Sequence, residues 1–246
     1  MAMLEDGTGA DAALRDGDPS LSRRRPLDRG LILQAAVEFI DEHGLPGLTM
    51  RRLGQVLGVE AMALYRHVAG KEELLDGVVE RLVAGMLSDE EVFDSPRNGW
   101  QDFLQRLAHG VRRVALAHPK AFPLVASRPP EAPWLRPPLR SLDWVEAFLV
   151  GLRSEGFTDE AAVAAYRSFT SFLLGQLLLE VATHGADLGP LDVLEEDPDP
   201  SGLAEYPTVS RLRHQLSENT AAVEFEEALE ELLNRLALVR EESRDE

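Results

Sequence analysis

Tyr65, Arg66 and His67 form one run, with Lys71 four residues beyond His67 and with Arg51 and Arg52 upstream. Phenol, imidazole, ammonium and guanidinium groups all donate hydrogen bonds, and together they suit the oxygens of a phosphate or another polyanion. A guanidinium can also engage a planar pair of acceptors such as guanine O6 and N7. Catalytic residues, by contrast, are not expected. The chain has no cysteine, so thiol nucleophiles, disulfides and thiolate metal sites are excluded together. Nor does it hold Gly-x-Ser-x-Gly, a closely spaced His pair on a helix, or a Gly-rich phosphate loop.

The donors need a rigid frame, and the flanking residues describe one. Asp28 has N-cap chemistry, and Ile32, Ala35, Ala36, Phe39 and Ile40 then fall on one helical face that Gly44 terminates. Thr49 opens a second short helix that buries Met50, Leu53 and Leu57 and stops at Gly58. A third helix is expected from about Glu60 to His67. A fourth begins near Lys71, with Leu74, Leu75, Val78, Leu82 and Met86 inside. The spacing fits a helix-turn-helix held together by Leu53, Leu57, Val59, Leu64 and Val68. Met62, Ala63, Tyr65 and Arg66 then point outward, and Lys71 sits at a helix N-terminus that favours phosphate. The same spacing also fits a plain helical hairpin with a chance cluster of donors.

Charge along the chain is uneven. Residues 1–20 carry a net −4, residues 21–71 a net +3 and residues 187–246 a net −12, within a total of −18. A uniformly basic coat is excluded, whereas a local polyanion contact on the basic island is not. With 44% hydrophobic and 28% charged residues, the composition is that of a globular protein of one large or two modest domains. The N-terminus lacks an apolar leader, and the most apolar stretch, Ser168 to Thr183, contains Gln176 and Glu180 and is short for a bilayer. A soluble cytoplasmic protein with no membrane partner is the expectation.

Beyond Asn98 every periodic segment reads as helix: Trp100–Ala117 up to Pro119, Arg136–Glu155 up to Gly156, and Asp159–His184, which is almost apolar all round and so expected to be buried. Proline-rich turns fill Ser127 to Pro138, and Gly185–Pro207 reads as a long acidic loop. A last helix, Thr220 to Arg240, spaces Phe225, Leu229, Leu232, Leu236 and Val239 as a narrow seam suited to a partner helix. The fold class is all-α. The expected organisation is a disordered acidic tail (1–22), a three-helix helix-turn-helix domain (23–75) with 71–87 as connector, and a larger helical domain (88–246).

The run Leu48-Thr49-x-Arg51-x-Leu53-x-x-x-Leu57-Gly58-Val59, then Leu64-Tyr65-Arg66-His67-Val68 and Lys71-Glu72-Glu73-Leu74-Leu75, resembles the DNA-binding domain of TetR-family transcriptional regulators. Ser127-Arg128-Pro129, Gly151 to Phe157 and Ser171 to Gly175 are similar to the effector domain of the tetracycline-repressor branch. The resemblance implies that Thr49, Tyr65, His67 and Lys71 contact phosphates and that Arg51 reaches a base. Glu60, Ala61, Met62 and Ala63 occupy the reading end of the recognition helix, where apolar residues suit thymine methyls. Arg52 and Arg66 complete the expected DNA face, and Arg23–Arg25 suggest a basic arm.

The resemblance further implies a small-molecule effector pocket, for which Phe103, His109, Phe122, Trp134, Trp144, Phe148, Phe169, Phe172, Gln176 and Glu180 are candidates. Tetracycline repressors hold drug and Mg²⁺ through a His that corresponds here to about Leu124, and the expected helical Glu is displaced to Glu180. No metal or cofactor is therefore expected, and a lipophilic effector fits the apolar walls better. The resulting reading is a homodimeric repressor released from a palindromic double-stranded operator by such a molecule. An all-α enzyme for a lipophilic substrate and a protein-binding helical module are the competing readings.

Overall fold

In the computed structural model, residues 26–87, 96–128, 132, 134–137, 141–187 and 205–243 are described. The expected acidic tail, the Arg23–Arg25 arm and most of the 185–207 loop lie outside them. All regular elements among the described residues are helices, with no strand.

Helix α1 (Arg29–His43) starts where Asp28 Oδ1 accepts from the Leu31 N–H at 2.8 Å and ends at Gly44, φ 78°. A single 3₁₀ turn (Leu45–Gly47) leads to α2 (Met50–Leu57), capped by Thr49 Oγ1 on the Arg52 N–H at 3.2 Å. Gly58 closes α2 in the left-handed region, φ 66° and ψ 32°, at low steric cost for a residue without Cβ. Helix α3 (Ala61–Leu64) is shorter than the expected 60–67 segment: beyond Leu64 the chain continues as turns to His67. Helix α4 (Lys71–Leu87) packs on α1. Ile32, Ala36, Ile40, Leu53, Leu64 and Val78 are fully buried among these four helices.

The second region comprises α5 (Trp100–Ala117), α6 (Pro123–Ser127), α7 (Leu142–Ser154), α8 (Asp159–Thr183), α9 (Pro207–Leu216) and α10 (Ala221–Glu242). Helices α5, α7 and α10 all pack on α8, and α4 touches both α5 and α6. At Gly151 a Cβ would stand 2.6 Å from Phe103 Cε1, so a bare backbone is what lets α7 approach α5.

Four expectations are corrected. Helix α7 begins at Leu142 rather than Arg136, because Ser141 Oγ caps the Trp144 N–H at 3.2 Å while Arg136 and Pro137 lie in a bend. Helices α6 and α9 were not anticipated, although each opens on a proline whose fixed φ suits a first helical turn. Helix α8 is not buried all round: Val163 and Leu179 are exposed on its outer side. By length and composition its 25 residues could cross a membrane, but its inner face, with Phe169, Leu173 and Leu177, is core. The α10 seam is partly occupied within the protomer, since Phe225, Leu229 and Leu236 are buried, Leu232 and Val239 are half-buried, and the Phe225 ring lies 5.9 Å from that of Phe172 on α8.

Candidate nucleic-acid interface and ligand cavity

Helices α2 and α3 meet at Gly54, a residue the sequence reading passed over. A Cβ there would lie 2.9 Å from the Val59 carbonyl oxygen and 3.3 Å from Ala61 N, so only glycine fits without a backbone shift. This contact sets the helix-turn-helix. The α3 side then presents Met62, 73% exposed, with Tyr65, Arg66 and Glu60 exposed and Ala61, Ala63 and His67 half-buried. Arg51 is exposed on α2, and Lys71 is the exposed first residue of α4. The turn before Lys71 is fixed by Glu73 Oε2, which accepts from the Ala69 N–H.

Two expected DNA residues also have jobs inside the protein. The Thr49 hydroxyl caps α2, and Arg52 Nη1 donates to the Gly47 carbonyl at 3.1 Å, tying its guanidinium to the preceding turn.

The helix-turn-helix is bound to the second region by charged groups. Arg128, at the end of α6, donates from Nη1 to Glu72 Oε2 at 2.8 Å and from Nε and Nη2 to Asp76 Oδ1 at 2.9 and 2.6 Å. The bond to Glu72 chiefly, aided by Asp76 and opposed by partial burial, holds this guanidinium above the ordinary arginine value. On the other side, His118 Nδ1 meets Asp41 Oδ2 at 2.7 Å, and Lys120 Nζ donates to the Glu42 carbonyl at 3.1 Å. These links join α1 and α4 to the ends of α5 and α6.

Between α4 and the second region lies a small, almost wholly apolar cavity of about 30 Å³. Val83 and Met86 wall it from α4, Val111 from α5, Val125 from α6, Trp144 from α7, and Leu173 and Leu174 from α8. Ser141 and Thr170 supply its hydroxyls. Thr170 Oγ1 is buried without a hydrogen-bond partner. The neighbouring Tyr166 hydroxyl donates to the Pro137 carbonyl at 3.1 Å. Burial pushes the Tyr166 phenol up to about 12.

Of the ten candidate effector residues, only Trp144 lines this cavity. Phe103, Phe122, Phe148 and Phe169 are fully buried core, because their rings fill helix contacts; Phe148 packs against Trp144, Tyr166 and Phe169. Trp134 is 75% exposed, outside the bundle. His109 pairs with Glu226 at 3.3 Å, Phe172 lies against Phe225, and Gln176 is half-buried. Glu180, 5% exposed, is held by Arg112 through two bonds of 2.6 and 3.0 Å, and Arg112 also lies over the Phe225 ring. The bond to Glu180 chiefly raises the Arg112 pKa. Leu124 is buried in α6.

A helix-turn-helix joined through one helix to a ligand-sized helical domain is the architecture of a one-component DNA-binding regulator. Residues 32–78 match the bacterial regulatory proteins of the tetR family, and residues 93–239 match the tetracyclin repressor-like C-terminal domain. The chain is 32% identical over 157 residues to the HTH-type transcriptional repressor DrrR1 of Streptomyces coeruleorubidus, a match covering 64% of this chain and 55% of that protein. It thus spans about half the length of that relative. To the tetracycline repressor protein class D of Escherichia coli it is 33% identical, over 66% of this chain and 70% of the repressor. Among solved structures, a possible TetR family transcriptional regulator from Streptomyces coelicolor A3(2) superposes with a TM-score of 0.69 at 31% identity, covering 86% of this chain and 100% of that one. ActR of S. coelicolor in complex with (S)-DNPA gives 0.64 at 25% identity, covering 87% and 98%. The chain belongs to the TetR family, whose members are ligand-responsive DNA-binding transcriptional regulators.

Proposed function

We propose that this protein is a homodimeric, cytoplasmic repressor that binds a palindromic operator and is released by a small lipophilic molecule. The observation that carries the reading is the double duty of α4. Its first turn adjoins the recognition unit and is gripped by Arg128, while Val83 and Met86 on the same helix wall the cavity. A drug-sized ligand needs roughly 300 Å³ or more, so it must part walls that now enclose about 30 Å³. Displacing α4 would re-aim the two recognition helices of a dimer relative to successive major grooves. The ligand acts only through its greater affinity for the parted state.

In this reading Arg51 reads a base, with Glu60, Ala61, Met62 and Ala63 at the base edges. Thr49, Arg52, Tyr65, Arg66, His67 and Lys71 hold the backbone. The unit 23–75 binds DNA, 71–87 connects, and 88–246 takes effector and partner. Val163 and Leu179 on α8, with Val223 and Leu238 on α10, are exposed apolar residues suited to an isologous dimer contact. A structural relative, ActR, has been solved with actinorhodin, which supports an organic effector here. The protein acts without turnover of that ligand. The test is release of a bound duplex by lipophilic compounds: Val83→Phe should block release while leaving duplex binding intact. Release unaffected by a filled cavity would contradict the assignment of the pocket.

A further inference from the structure

Helices α1, α4 and the C-terminal half of α5 line a cleft of about 550 Å³. A recess of about 230 Å³ adjoins it and shares Gly85, Val114 and His118 as lining. The large cleft shares no lining residue with the cavity described above, while the recess shares Met86 with it.

Three features give the cleft the form of a ligand site. Its floor is apolar, made by Leu33 and Val37 of α1 and Val114 of α5. Its rim carries more cations than carboxylates: Arg29 and Arg81 line the cleft, Arg113 lines the adjoining recess, and Glu80 is the only carboxylate among the lining residues, while His118, shared by both, is held by Asp41 at 2.7 Å. In a chain of net charge −18 this is a local reversal of sign. Glu80 is engaged by Arg29 at 3.0 Å in a pair exposed 44% on each side, of the kind that exchanges partners readily. Arg81 donates from Nε to Gln34 Oε1 at 2.8 Å, which orients its guanidinium toward the rim.

The third feature is Gly85. On the same helix Gly77 is required by packing, since a Cβ there would lie 2.5 Å from Leu33 Cδ2. At Gly85 a Cβ would meet nothing within 4 Å. A glycine in a helix interior costs about 0.5–1 kcal/mol relative to alanine, and no neighbouring group requires it here. Its effect is to keep the cleft and the recess joined.

We propose that this interdomain cleft is a second ligand site and that it takes an amphipathic monoanion, a carboxylate on an apolar body. The carboxylate would lie on Arg81 and Arg29 at the rim and the body on Leu33, Val37 and Val114. Because the walls come from both domains, occupancy and the angle between the domains are linked, and each biases the other. The linkage to DNA rests on the regulator reading above. Binding at the cleft does not, so it is measured without DNA.

Calorimetric titration of the full chain with decanoate, and with 1-decanol as the uncharged counterpart, tests the site. Decanoate should bind saturably and at least tenfold more tightly than 1-decanol. Gly85→Leu, which fills the open space on an exposed helical position, should abolish binding with no fall in the unfolding temperature. Arg81→Gln should weaken it about tenfold, whereas Leu174→Phe in the enclosed cavity should leave it unchanged. Equal affinity for acid and alcohol, undiminished decanoate binding by folded Gly85→Leu and Arg81→Gln, or loss of binding in Leu174→Phe would each overturn the proposal.

Discussion

Arg128 Nη2 and Asp76 Oδ1 stand 2.6 Å apart across the junction between α6 and α4, in a pair with exposures of only 14% and 24%. This is the most sheltered charged link between the recognition unit and the second region, and it sits one helix turn from Glu72, which takes the other arm of the guanidinium. A single helix, α4, thus carries the Arg128 contact near one end and lines the cavity near the other.

Arg128→Ala should therefore take the guanidinium away from Asp76 and Glu72 and lower stability by about 1–3 kcal/mol, read as a shift in the urea midpoint. Asp76→Asn should cost less, and the double variant should cost less than the two single changes combined. Strict additivity in this cycle would mean that the two groups do not interact.

Gly54→Val is expected to disrupt the α2–α3 crossing, because the new Cβ lies against the backbone oxygen of Val59 rather than a yielding side chain. Duplex binding should be lost at temperatures where far-ultraviolet dichroism still reports a largely helical second region. Retained binding would show that the crossing can relax.

At the cavity, Thr170→Val removes a buried hydroxyl that has no partner. The unfolding free energy should hold or rise by up to about 1 kcal/mol, whereas Leu173→Ala next to it should lose roughly 2–5 kcal/mol. A loss of more than about 1 kcal/mol in Thr170→Val would reveal a hydrogen bond there.

Tyr166 gives a pH dependence of definite sign. Its folded value, raised to about 12 from an ordinary 10, means that the unfolded chain releases the phenolic proton first as pH climbs. The contribution is full below about pH 10 and is lost as pH rises through about 12, a change on the order of 2–3 kcal/mol. Tyr166→Phe should flatten the fall in stability over that window. An unchanged slope would place the titration elsewhere.

The elements that were legible in the sequence are those whose signals are local. Asp28, Thr49, Gly44 and Gly58 mark helix ends by hydrogen-bonding chemistry and by positive φ, and each does so in the structure. Of the outward set Met62, Ala63, Tyr65 and Arg66 expected from helical spacing, Ala63 is half-buried and the other three are exposed. What escaped depends on contacts distant along the chain. Aromatic type could not separate Trp144, on the cavity, from Phe148 one turn later in the core, because both face inward on α7. Nor could it reveal that Glu180 is taken by Arg112, 68 residues away. Gly54 did carry a signal, since a glycine in a short helix interior marks a close approach, and so did Pro123 and Pro207 at the starts of α6 and α9.

At the DNA face, Arg51→Ala should lower affinity for the preferred duplex by at least about tenfold and relax the preference at one position of each half-site. Tyr65→Phe should weaken all duplexes by a smaller, similar factor. Equal losses on every sequence for Arg51→Ala would remove its base-reading role.

The most direct test of the account is selection of bound duplexes from a random DNA pool by the purified full chain, followed by a salt titration of the winner. The account predicts a palindrome with half-sites about one helical turn apart, bound by two protomers, whose affinity falls steeply with salt as phosphate contacts are lost. A folded protein that enriches no sequence at low salt would contradict it.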